Sequence, residues 1–220
     1  YQKFEYTYDS NGNQTLDIES FWNADLNDWG LREKYEYTYD SNGNLTLVIE
    51  SWWNADLNDW GLRKKYEYTY DSNGNLTLVI SSIWNTDLND WEGFWKYEYN
   101  YDSNGNLTLY VSSRWNADIN DWEGFWKYEY TYDSNGNQTL WIWSIWDTDL
   151  NDWELSEKYE YTYASNGNLT LRIRSVWNTG GNWDFYYRNE YTYDSNGNLT
   201  LDIESIWDTD LNDWGLRKKY

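Results

Sequence analysis

The sequence predicts an all-β protein of tandem antiparallel hairpins, about 14 strands wound into a spiral or barrel-like wall with an aromatic interior. Three observations predict it. Asn-Gly-Asn recurs at Asn11, Asn42, Asn73, Asn104, Asn135, Asn166 and Asn196, in five steps of 31 residues and a last step of 30, so one unit is repeated seven times. Between these turns apolar and polar residues alternate with period two, and no helical period persists. None of the 220 residues is proline, where average usage would place roughly 11. Proline removes a ladder donor and is barred from central strands, so its absence suits a chain that is almost entirely paired strand.

The first strand of the second copy puts Trp29, Leu31, Glu33, Tyr35, Tyr37 and Tyr39 on one face and Gly30, Arg32, Lys34, Glu36 and Thr38 on the other. The next puts Leu45, Leu47, Ile49, Ser51 and Trp53 on one face, with Thr46, Val48, Glu50 and Trp52 opposite. Paired residues of neighbouring strands point to the same side, so parity constrains the turns. A two-residue Asn42-Gly43 hairpin would set tyrosines against the polar face. A three-residue loop, Ser41-Asn42-Gly43, pairs Asp40 with Asn44 and places Gly43 in the left-handed position of a type I turn with a G1 bulge. Continued without interruption, this register pairs Tyr39 with Leu45, Tyr37 with Leu47 and Tyr35 with Ile49.

The second turn, Asn54-Ala55-Asp56-Leu57-Asn58-Asp59, needs an even loop and sets Trp53 opposite Trp60. The sixth copy is one residue shorter there, and Thr179-Gly180-Gly181 forms an odd loop that keeps Trp177 opposite Trp183, with Gly181 supplying the left-handed residue. Leu47 would then lie between Tyr37 and Tyr66, a drift of two residues per hairpin that tilts the strands by about 35°. Such a sheet winds, with the Trp/Leu/Tyr face inside and the Lys/Glu/Thr face outside. A parallel β-solenoid, one coil per 31 residues, is the alternative architecture. The array fills residues 1–220 as a single continuous domain, and the lack of capping sequence at either end reads as an excerpt of a longer array.

Tyr35-Glu36-Tyr37-Thr38-Tyr39-Asp40-Ser41-Asn42-Gly43-Asn44-Leu45-Thr46 resembles the YD repeat of Rhs-type and teneurin-type proteins, which also occurs in secreted bacterial surface proteins. The resemblance covers 12 residues of every 31. It implies hairpins that build a spiralling antiparallel wall around a lumen. YD repeats are shorter than the unit found here, and the Trp53-to-Trp60 segment has no counterpart in them.

Composition excludes several functions. The chain has no His and no Cys, which removes disulfides, thiol nucleophiles, imidazole or thiolate metal sites and a Ser-His-Asp relay. A net charge of −22 opposes nucleic-acid binding. No apolar run is long enough for a membrane helix, so membrane insertion is not expected. The 19 Trp and 24 Tyr leave ample surface to bury despite a mean hydropathy of −1.02.

Three features are candidate sites. The second turns offer hard oxygen ligands at Asp25, Asn27, Asp28, Asp56, Asn58 and Asp59, and calcium is the candidate ion. Asn13, Asn44, Asn75, Asn106, Asn137, Asn168 and Asn198 each open an Asn-X-Thr glycosylation sequon on an exposed turn. Trp52, Tyr110, Trp141 and Trp143 fall on the expected outward face, where the copies differ most, and suit either sugar stacking or lateral contact between chains. No constellation supplies a nucleophile with its base. The expected function is structural and non-enzymatic: a segment of an extracellular or bacterial cell-surface stalk, fibril or filament that self-associates, with no cofactor beyond calcium. The alternative is a carbohydrate-binding adhesin.

Overall fold

The computed structural model describes residues 1–25 and 27–219. Among the described residues the chain forms fifteen strands and no helix: β1 (Gln2–Tyr8), β2 (Gln14–Asn23), β3 (Asp28–Tyr39), β4 (Leu45–Asn54), β5 (Asp59–Tyr70), β6 (Leu76–Asn85), β7 (Asp90–Tyr101), β8 (Leu107–Asn116), β9 (Asp121–Tyr132), β10 (Gln138–Asp147), β11 (Asp152–Tyr163), β12 (Leu169–Trp177), β13 (Trp183–Tyr193), β14 (Leu199–Asp208) and β15 (Asp213–Lys219). Hydrogen-bonded neighbours follow sequence order from β1 to β15. The chain divides into two compact units, Tyr1–Glu98 with Ser113–Glu123, and Tyr99–Ser112 with Gly124–Tyr220. In the first, β1 to β7 pair antiparallel in succession. In the second, β9 to β15 do the same. Antiparallel pairing rules out the parallel solenoid, in which like strands of successive copies would lie side by side.

Both turns form as parity requires. Asp40 N–H donates to Asn44 O at 2.9 Å and Gly43 N–H to Asp40 O at 3.1 Å, with Gly43 at φ +85°. In the second turn, Asn54 pairs with Asp59 and Trp53 with Trp60, and Asn58 takes the left-handed conformation at φ +51°. In the short sixth copy, Gly181 N–H donates to Asn178 O at 3.1 Å, Gly181 has φ +77°, and Trp177 pairs with Trp183.

The register between the turns differs from the uninterrupted one. Tyr39 pairs with Leu45, but Thr38 then pairs with Leu47, Tyr37 with Val48 and Tyr35 with Glu50. Thr46 is the extra residue of a bulge, and its Oγ1–H donates to Thr38 O at 3.1 Å. A second bulge follows, where Ser51 pairs with Leu62 and Glu50 with Lys64, leaving Arg63 unpaired. One extra residue reverses every later side chain of a strand. The tyrosines therefore share their face with Val48, Glu50 and Trp52, while Leu47, Ile49, Ser51 and the Trp53–Trp60 pair share theirs with Lys34, Glu36 and Thr38. The expected faces, with all Trp, Leu and Tyr on one side, do not form. The drift survives the change, because Val48 lies between Tyr37 and Tyr66.

Burial is shallow on both faces. Val48 and Val79 are the only buried apolar residues among those described, and the fully buried side chains are serines: Ser20, Ser51, Ser112, Ser144 and Ser175. Trp and Tyr side chains are half-buried or exposed. Packing consists of strand-to-strand contacts that recur. Trp53 meets Trp60 edge to face at 5.3 Å, as Trp84 meets Trp91 at 5.2 Å and Trp146 meets Trp153 at 5.1 Å, a geometry worth about 0.5–1.5 kcal/mol beyond area. Trp177 meets Trp183 and Trp207 meets Trp214 in the same way.

Candidate functional site

The first turns are closed by their own side chains. Asp40 Oδ1 accepts the N–H groups of Asn42 at 2.8 Å and Asn44 at 2.9 Å, and Asp40 Oδ2 accepts Asn44 Nδ2–H at 3.0 Å. The Asn44 side chain, followed by the backbone N–H donors, holds the Asp40 carboxyl below its ordinary pKa, and the same causes act on Asp9, Asp71, Asp102, Asp133 and Asp194. In the sixth turn Ala164 replaces the acid, and Asn166 Oδ1 accepts Asn168 N–H at 3.1 Å.

This geometry gives the Asn of six sequons, and the Thr that follows it by two, structural roles. Asn13, Asn44, Asn75, Asn106, Asn137 and Asn198 direct Nδ2, the atom a glycan would use, at the turn carboxylate. The sequon threonines Thr15, Thr46, Thr77, Thr139, Thr170 and Thr200 are the bulged residues.

At the second turns, Asn54 Oδ1 accepts Asp56 N–H and Leu57 N–H, and Asp59 Oδ1 accepts Trp60 N–H at 2.7 Å. In the first copy Asp25 N–H donates to Asn23 Oδ1 and Trp29 N–H to Asp28 Oδ1, and Asn27 is left-handed at φ +52°. Among the described residues no three carboxylates converge as a metal cage would require.

The aromatic candidates lie on the tyrosine face. Trp141 pairs with Tyr130 and Tyr159, and Trp143 with Tyr128 and Glu157. The Tyr128 ring lies 5.6 Å from Trp141 and 6.4 Å from Trp143, and Tyr110 lies 5.6 Å from Tyr128. They are half-buried members of an aromatic row. Trp52 alone of the four is exposed, at 53%, lying across Gly61, where an added Cβ would come within 2.5 Å of its Nε1. The face reversal by the bulges is the reason the sequence placed them outward.

Two further clusters on this face went unread. Arg63 bridges Glu50 at 2.7 Å and Glu33 at 3.5 Å, and Tyr35 O–H donates to Glu33 at 3.0 Å. Burial, then the bond to Glu33, pushes the Tyr35 hydroxyl up to about 12. Arg172 donates to Asn189 Oδ1 at 3.0 Å, and Asn189 Nδ2–H donates to Asp202 at 3.3 Å. The signal was present: Asn189 breaks the Lys-Tyr-Glu-Tyr pattern in the copy where Arg172 stands at the Val48 position. On the opposite face Lys34 Nζ lies 2.8 Å from Glu36, two residues along the same strand.

No protein-family model matches the chain, and no curated protein does. Solved structures do. A protein of unknown function from Bacteroides fragilis NCTC 9343 is 22% identical, covering 57% of this chain and 90% of its own, with a TM-score of 0.45. A DUF3836 family protein from Bacteroides vulgatus ATCC 8482 is 18% identical over 42% of this chain and 89% of its own, with a TM-score of 0.35. TcdB2–TccC3 without its hypervariable C-terminal region is 14% identical over 93% of this chain and 14% of its own, with a TM-score of 0.38.

Proposed function

We propose that this chain is a structural repeat protein, a YD-like array that forms part of an extracellular or cell-surface stalk, fibril or filament and carries out no catalysis. The observation that carries the reading is the recurrence of one tie between successive copies. Tyr39 O–H donates to Gln14 O at 2.9 Å, Tyr70 to Leu45 O at 3.0 Å, Tyr132 to Leu107 O at 2.8 Å and Tyr163 to Gln138 O at 2.9 Å. Each donor reaches back 25 residues into the copy before it. Stability then accumulates through neighbour contacts, and length can be added without new fold information.

An acidic surface keeps such an object soluble and apart from like chains until they are bridged. Single-molecule stretching tests the reading. A load-bearing array gives repeated release steps of 31 residues each, roughly 110 Å at full extension. Native material should appear as fibres in negative-stain images. A single all-or-none release, together with isolated particles, would contradict it.

A further inference from the structure

Five of the second turns carry an aliphatic side chain that the fold leaves in solvent. Leu57, Leu88 and Ile119 in the first unit are 74%, 68% and 61% exposed, and Leu150 and Leu211 in the second are 72% and 74% exposed. Turn closure uses only the backbone of these residues, as when Leu57 N–H donates to Asn54 Oδ1, and the left-handed position belongs to the asparagine that follows.

Isolated exposed leucines need no explanation, whereas a periodic row beside an indole-lined groove does. Behind Leu88 lies a groove of about 560 Å³ lined by Trp91 and Trp115, with Asp90 and Glu92 at its wall. The second unit repeats it behind Leu150, about 490 Å³ lined by Trp153 and Trp177 with Asp152 and Glu154. Two strand spacings and a two-residue drift set successive tips roughly 12 Å apart.

The charge of this edge selects its occupant. Every ion pair among the described residues uses a glutamate, so the turn aspartates Asp56, Asp87 and Asp118 stand beside their aliphatic neighbours with no cation. A second copy would bring carboxylate against carboxylate, and a nucleic acid or acidic lipid would be repelled likewise. The fold shows which group such indoles accept: of the two in the Leu88 groove, Trp91 already has Lys65 Nζ 5.5 Å from its ring, which makes Trp115 the one a partner's cation would meet.

We propose that the second-turn edge of the first unit is a docking surface for a cationic polypeptide that carries apolar side chains between its basic ones. Leu57, Leu88 and Ile119 enter apolar recesses of the partner. The groove behind Leu88 takes a Lys or Arg side chain by cation–π contact at Trp115, and the aspartates hold its charge.

Two synthetic peptides of equal length and charge, one of Lys and Leu and one of Lys and Ser, provide the probe, titrated calorimetrically into the full chain with a chelator present. The Lys/Leu peptide should bind at least tenfold more tightly. Combining Leu57→Ser, Leu88→Ser and Ile119→Ser should shrink that margin without changing the melting temperature, since Leu150 and Leu211 keep the edge of the second unit. Asp87→Asn with Asp118→Asn should weaken both peptides and flatten their salt dependence. Equal affinity for the two peptides, no binding of either, or a dimer in sedimentation that the triple variant dissolves would each overturn the proposal.

Discussion

Lys34 reaches across β4 to place its ammonium 5.4 Å over the ring of Trp60 on β5. Its direct partner on the strand between them is Ser51, which is 1% exposed. The pattern returns as Lys3 over Trp29, Lys65 over Trp91, Lys96 over Trp122, Lys127 over Trp153 and Lys158 over Trp183. A small residue is needed under the lysine stem, which accounts for a serine being the most buried side chain of the copy. Ser51→Leu should therefore lower stability by about 1–3 kcal/mol through overpacking, although it raises hydrophobicity. Urea unfolding of the variant checks this, and a stabilised variant would mean that the stem does not cover that site.

Glycine substitutions should separate two kinds of close approach. A Cβ on Gly124 would meet Trp146 at 2.5 Å and Trp153 at 2.9 Å, both members of one edge-to-face pair. Gly124→Ala should cost about 1–3 kcal/mol. At Gly61 the obstructing ring is the exposed Trp52, which can swing into solvent, so Gly61→Ala should cost clearly less. Paired thermal melts give the comparison.

The turn aspartates make the fold acid-sensitive. Their carboxyls lie below the ordinary value of 3.8 in the folded state, so the stability they add is present above that pH and is lost as pH falls through the lowered value. Ala164→Asp installs the missing acid in the sixth turn. It should raise the melting temperature at pH 7, with the gain lost in acid as pH falls through the lowered value. A gain that persists in acid would show that the carboxylate is not the source.

Alkali should act through the tyrosines. Tyr35 is pushed up to about 12 from 10.0, and burial raises Tyr37, Tyr68, Tyr130 and Tyr161 as well. A raised pKa means stability fully present below pH 10 and lost as pH rises through the folded value. Phenolate absorbance should show a late-titrating class at high pH, reduced by Tyr35→Phe, and denaturation should convert that class to ordinary titration.

The sequence made the hairpins, both turn types, the Trp53–Trp60 pairing and the absorbing role of Gly181 legible, because each rests on local chemistry: an Asx-closed turn, a left-handed glycine, a loop of fixed parity. The faces were not legible. Thr46 and Arg63 look like ordinary strand residues, and only pairing with β3 and β4 reveals them as the unmatched ones. The resemblance to YD repeats extended over the first turn only and offered no counterpart for the second. Trp141 and Trp143 were correctly singled out as the variable aromatics, yet placed on the wrong side by the same two bulges.

Chemical cross-linking tests the bulged register most directly, since the chain contains no cysteine of its own. Opposed residues on one face can form a disulfide, whereas Cβ atoms on opposite faces cannot without backbone movement. Tyr37→Cys with Val48→Cys should oxidise to an intramolecular disulfide, and Tyr37→Cys with Leu47→Cys should remain reduced. The reverse outcome would restore the uninterrupted register and return the leucines to the tyrosine face.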